Sequence, residues 1–76
     1  TIITAYRQDT LRCANILADG ALPLSGIRER LNMQRCATIL QKNHYGWFER
    51  VQRGHYQLSP KGQRALLDYV DVIVQL

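Results

Sequence analysis

Between Ala5 and Ala18 the apolar residues Tyr6, Cys13, Ile16 and Leu17 recur at helical spacing, while Arg7, Asp9, Arg12 and Asn15 fall largely on other faces. This pattern predicts a first helix. Asp19-Gly20 ends it, because glycine accepts the left-handed conformation that closes many helices. Ala21 to Pro23 read as a short connector. A second, short helix is predicted from Leu24 or Ser25 to Leu31, with Ser25 as its cap. Ile27 and Leu31 would face inward, and Arg28, Glu29 and Arg30 outward. Asn32 breaks the pattern and is expected to N-cap a third helix, from Met33 to about Asn43.

The third helix has the sharpest division between its faces. At roughly 100° per residue, Gln34, Arg35, Thr38, Gln41 and Lys42 fall within an arc of about 120°. Met33, Cys36, Ala37, Ile39, Leu40 and Asn43 occupy the other side. Two helices joined by a single residue, the second with a polar outer face, form a helix-turn-helix candidate. Trp47 to Val51 and His55 to Leu58 then read as two strands joined by a turn at Gln52-Arg53-Gly54. Phe48, Val51, Tyr56 and Leu58 are the expected inward residues, and Gly46 permits a sharp exit from the preceding helix. Ser59-Pro60 reads as an N-cap followed by proline at the first helical position, opening a fourth helix through Ala65, Leu66, Leu67 and Val70. The expected fold is mainly α with a small β-hairpin: helix-helix-helix-strand-strand-helix, the winged helix-turn-helix order.

Composition narrows the options. At 76 residues the chain makes one domain, residues 1–76, and its opening Thr1-Ile2-Ile3-Thr4 suggests a fragment of a longer protein. No apolar run approaches the ~18 residues that a membrane span requires. The segment from Leu24 to Arg64 carries eight basic residues against two acids, while the remainder has two basic residues against four acids. A basic middle with mildly acidic ends favours a polyanionic partner. Cys13 and Cys36 belong to no CxxC or Cys/His cluster and read as small buried apolar residues in a reducing cytoplasm. The six acids are scattered, so no metal-binding carboxylate site is expected. His44 and His55 have no neighbouring Ser, Cys or Asp that would form a catalytic dyad. The glycines match neither GxGxxG nor GxxxxGK[ST], which argues against nucleotide binding. No catalytic residue, cofactor or metal is expected in this chain.

The run Tyr6-Arg7-Gln8-Asp9-Thr10-Leu11-Arg12-Cys13-Ala14, then Tyr45-Gly46-Trp47-Phe48-Glu49-Arg50-Val51 and Arg53-Gly54-x-Tyr56-x-Leu58-Ser59-Pro60, resembles the C-terminal part of an uncharacterised bacterial family named for PD-(D/E)XK phosphodiesterase chemistry. The likeness spans roughly Ala5 to Tyr69, and between Leu22 and Gln34 only the helical pattern matches. It implies a nuclease-like fold upstream, with this chain as an appended winged helix. No PD-(D/E)XK motif is present, so the resemblance transfers no catalytic residue.

The function expected from these readings is double-stranded DNA binding, with the third helix in the major groove and the hairpin on the backbone. Gln34, Arg35, Thr38 and Gln41 carry groups able to reach base edges. Lys42, Arg50, Arg53 and His55 are suited to the backbone, with Arg28 a further candidate. The rival is a protein-interaction module without nucleic-acid contact. Val70 to Leu76 are apolar on more than one side, which would suit a homodimer or docking to an upstream domain. A third reading has Tyr45, Trp47 or Tyr56 stacking the bases of a single strand.

Overall fold

The computed structural model describes residues 4–73. In chain order the elements are α1 (Ala5–Ile16), β1 (Leu22–Pro23), α2 (Leu24–Leu31), α3 (Cys36–Lys42), β2 (Phe48–Gln52), β3 (His55–Leu58), α4 (Pro60–Asp68) and α5 (Val70–Ile73). The architecture is mainly helical, with a three-stranded antiparallel sheet in the order β1-β3-β2. Leu11, Cys13, Ala14, Ile27 and Cys36 are wholly buried where the first three helices meet, and Phe48, Tyr56 and Leu58 close the core from the sheet side.

Several local expectations are corrected, each for a physical reason. Leu22 and Pro23 are not a connector but the third strand, paired with Tyr56 and His55. Two residues are too short to show a period, so only proximity to β3 makes them a strand. Proline is tolerated because β1 lies at the edge of the sheet. Pro23, not Ser25, takes the N-cap position of α2, and no side chain caps it. Asn32 does not start a helix. It ends α2 in the left-handed conformation at φ 50°, its N–H bonded to Arg28 O at 2.7 Å. With Asn32 spent on closing α2, α3 begins only at Cys36, behind a turn at Gln34-Arg35 that places Arg35 at its N-cap position without a side-chain cap. The first helix ends at Ile16 rather than Ala18, and residues 17–19 turn into Gly20 at φ 144°. The predicted fourth helix is two helices, α4 and α5, separated at Tyr69.

The hairpin turns at Arg53-Gly54, with Gln52 still in the strand. Phe48, Tyr56 and Leu58 are buried as expected, but Val51 is 46% exposed. Strand side chains alternate with period two, so Val51 cannot share a face with Phe48, three positions away. The pairing also shifts there: Arg50 faces Tyr56 and Gln52 faces His55, leaving Val51 as the extra residue of a β-bulge.

The closing helix is joined to the hairpin through backbone. Ser59 N–H donates to Trp47 O at 2.8 Å, and Ser59 Oγ donates to Gly46 O at 2.6 Å while accepting from Gly62 N–H at 3.1 Å. The predicted cap at Ser59 and proline at the first helical position are both present. Gly62 lies so close that a Cβ would sit 2.1 Å from Trp47 O and 2.9 Å from Leu58 Cδ2. Gly62→Ala is therefore expected to cost about 3 kcal/mol, the upper end of overpacking penalties. Gly54, at φ 75° with open space around its Cβ position, should cost only about 1–2 kcal/mol as Ala, for backbone conformation alone. Urea denaturation of the two variants tests the order. Equal midpoints would contradict the close approach.

Cys13 and Cys36 are buried and unbridged. Burial first, and then the neighbouring Cys36, push the Cys13 thiol up to about 12 from an ordinary value of 9.0. Below about pH 9 the folded and unfolded states both keep this proton. Above it the unfolded chain releases the proton while the folded chain holds it until near pH 12, so stability falls with rising pH, by at most ~1.4 kcal/mol per unit. Thermal melts from pH 8 to 11 should show this decline, and Cys13→Ala should flatten it. An unchanged slope in the variant would remove Cys13 as its source.

Candidate nucleic-acid interface

The outward side of α3 follows from the packing of its inward side. Cys36, Ile39 and Leu40 are buried, which turns Thr38, Gln41 and Lys42 to the exterior. Gln34 and Arg35 continue the same stripe from the turn before the first helical residue. All five polar residues are exposed, so the predicted partition of the two faces is present although the helix is shorter than expected. Among the described residues, Gln34, Thr38, Gln41 and Lys42 make no side-chain hydrogen bond or ion pair. Arg35 differs: its guanidinium pairs with Asp9 of α1, a carboxylate that also binds Arg12 at 2.9 Å.

Asn43 fixes where this stripe ends. It leaves α3 in the left-handed conformation at φ 50°, its N–H bonded to Ile39 O. Its side chain then copies a strand partner. Nδ2 donates to Phe48 O at 2.8 Å, and Oδ1 accepts from Phe48 N–H at 3.1 Å. The exit of the helix and the start of the hairpin are thereby held together by one amide. Helical spacing alone assigns Asn43 to the inner face and does not disclose this role. An asparagine at a helix end, five residues before a strand, was the available signal.

The hairpin residues are placed by the sheet. Leu24 N–H donates to Gly54 O at 2.8 Å, tying the hairpin turn to the first residue of α2. Arg53 is exposed at this turn, and half-buried His55 lies beside it, with Nδ1 3.2 Å from Arg53 O. Arg50 is exposed on β2 opposite Tyr56. On the other sheet face Gln57 donates to Glu49 at 3.0 Å. Thus the structure brings Arg53 and His55 together, and Gln34 to Lys42 together, as two polar groups. Among the described residues no side-chain bond joins the two groups directly, and the Asn43 side-chain amide ties the end of α3 to the start of β2.

The aromatic residues serve the core. Trp47 and Tyr56 are each 7% exposed. Tyr45 stacks on Trp47 with centroids 4.7 Å apart, and Arg7 lies 5.1 Å from the Tyr45 ring centroid. Arg7 also donates to Tyr69 Oη at 3.3 Å. These packed rings offer little free face to a single-stranded base. Burial, then the nearby Tyr45, raises the Tyr6 hydroxyl pKa. Tyr6 Oη and Arg7 Nε have no hydrogen-bond partner among the described residues.

Among the described residues no three of His, Cys, Asp and Glu converge as a metal site would require. No helix there is long and apolar enough to cross a membrane. The carboxylates are distributed instead: Asp9 with two arginines, Glu49 with Gln57, and Asp68 with Arg64 at 3.4 Å. The sequence also contains no Asp/Glu-x-Lys triplet. A family model described as "Putative PD-(D/E)XK phosphodiesterase" matches residues 1–65. No curated protein and no solved structure matches the chain.

Proposed function

The chain belongs to this family, and from that premise we propose that it is a winged-helix module that binds double-stranded DNA for a longer protein whose phosphodiesterase-like chemistry lies outside this segment. On this reading the chain supplies binding and is not itself an enzyme, since it lacks the Asp/Glu-x-Lys element that gives the family its name. The element order α1-β1-α2-α3-β2-β3-α4 fits a winged helix, with β1 closing the sheet against the wing. A cytoplasmic setting fits the two unbridged thiols.

One observation carries the proposal: an exposed stripe of amides, a hydroxyl and a cation on the solvent side of α3, backed by buried Cys36, Ile39 and Leu40. A helix of this kind can enter a major groove without breaking any internal bond. Gln34, Thr38 and Gln41 would read base edges, glutamine pairing bidentately with adenine. Lys42, Arg50 and Arg53 would neutralise phosphates, with His55 beside the wing tip. Because Leu24 holds the hairpin turn, the wing would meet the backbone as a fixed surface.

A second reading is a protein-interaction module, favoured by Leu67 and Val70, which are 74% and 54% exposed on the C-terminal helices. Apolar residues so exposed suit a partner surface. Val74 to Leu76, the end of the apolar segment expected to supply this surface, lie outside the described residues.

Three phosphate contacts predict that the logarithm of duplex affinity falls with the logarithm of salt at a slope of roughly −3. Lys42→Ala should reduce that slope by about one unit, whereas Gln41→Ala should leave it unchanged and lower affinity for a selected sequence by about 1–3 kcal/mol. A salt titration on duplex and single-stranded oligonucleotides checks this, and duplex binding insensitive to salt would rule the reading out. Light scattering over a range of concentrations addresses the second reading. A doubled mass that Leu67→Glu abolishes would support self-association.

A further inference from the structure

Asp9 lies in α1, outside the stripe of α3, yet it touches that stripe. Its Oδ1 pairs with Arg12 at 2.9 Å and its Oδ2 pairs with Arg35. The Asp9 side chain is 13% exposed, whereas that of Arg35 is 59% exposed. A nearly covered carboxylate thus anchors a guanidinium that remains open to solvent at the entry to α3. Arg35 engages Asp9 through Nη2 alone. Most of the five donors in an arginine fork therefore remain available to a ligand. Solvent on the Arg35 side screens the pair and limits what it adds to stability, so stabilisation alone is a weak reason for the arrangement.

We propose that Asp9 is a positioning residue for Arg35, holding its guanidinium where it can meet a guanine edge in the major groove of duplex DNA. The inference rests on the duplex-binding reading and deepens it, adding a specificity determinant from the first helix. Arginine has a long side chain with many rotamers, and immobilising it on binding is costly. Anchoring to Asp9 removes part of that cost before DNA arrives. Bidentate pairing to O6 and N7 of guanine also requires the planar fork at a defined angle, which one anchored nitrogen helps to set. Arg12, on the other oxygen of the same carboxylate, keeps Asp9 itself in place.

The proposal and simple electrostatics predict different outcomes for Asp9→Asn. Removing a negative charge should strengthen attraction to every duplex alike. Loss of positioning should instead weaken preference for the correct sequence. The experiment selects duplexes from a random library with the parent chain. It then measures affinity for the selected duplex and for a scrambled one of equal composition. The variants are Asp9→Asn, Arg35→Ala, Arg35→Lys and the double variant Asp9→Asn/Arg35→Ala, each checked for folding by thermal melting.

The expected result for Asp9→Asn is about a tenfold fall in the ratio of selected to scrambled affinity, with scrambled binding unchanged or tighter. The double variant should discriminate no worse than Arg35→Ala alone, because the two residues act as one unit. Arg35→Lys keeps the charge but not the fork, and should lose discrimination too. If Asp9→Asn keeps the parent's ratio, or its loss adds fully to that of Arg35→Ala, the positioning role is overturned while duplex binding stands. Should Asp9→Asn fail to fold, Arg35→Lys decides, and retention of the parent's ratio overturns the proposal. If the parent chain shows no salt-dependent duplex binding, the underlying reading fails and this inference fails with it.

Discussion

The structure depends on how closely two backbone segments approach around Gly62. The start of α4 presses against the carbonyl of Trp47 with no room for a Cβ, and Ser59 bonds to both sides of that junction. This contact carries the closing helix onto the root of the hairpin. Asn43 does the corresponding work on the other side, matching the backbone of Phe48 with its side-chain amide. Helix α3, strand β2 and helix α4 are therefore joined through a few backbone groups. Side-chain packing by Trp47, Phe48 and Leu58 then fills the space those bonds define. The order matters: directional hydrogen bonds fix the angles, and the hydrophobic term, which lacks direction, rewards whichever arrangement they permit.

A small domain built this way has few residues to spare. Thr10 shows the economy, being 2% exposed with its hydroxyl returned to Tyr6 O of the same helix at 2.7 Å. The aromatic group of Tyr6, Tyr45, Trp47 and Tyr69 extends the core at the start of α1, and Arg7 covers it. Surfaces that remain open to a partner include the stripe on α3, the basic hairpin turn, the outer side of α2 with Arg28 and Arg30, and the exposed side of α4 and α5. Lys42, Arg50 and Arg53 belong to the α3 stripe and the hairpin, whereas α4 and α5 combine exposed Leu67 and Val70 with the exposed cations Lys61 and Arg64.

Much of the candidate interface was legible beforehand. Gln34, Thr38, Gln41 and Lys42 could be placed on an outer face because Cys36, Ile39 and Leu40 mark the inner one at helical spacing, and the structure exposes the first set and buries the second. The arrangement of Arg35 was not legible. Its carboxylate partner lies 26 positions earlier, and no local period connects residues on different helices. The role of Asn32 was misread for a related reason. The same residue type favours both a helix start and a left-handed helix end, and only the path of the chain decides between them. Val51 failed differently, since the alternation of a strand already excluded it from the face of Phe48.

The sequence alone determined the elements with strong local signals: the two-sided third helix, the hairpin around Arg53-Gly54, and the Ser59-Pro60 start of the closing helix. Each rests on interactions within a few residues, so composition and spacing contain the necessary physics. Tertiary structure decided the rest. It made Leu22-Pro23 a strand, moved the start of the third helix to Cys36, set a bulge at Val51 and placed Arg35 on Asp9. Those outcomes depend on which distant segments meet, and that is fixed by the collective burial of the core and by no single stretch of chain.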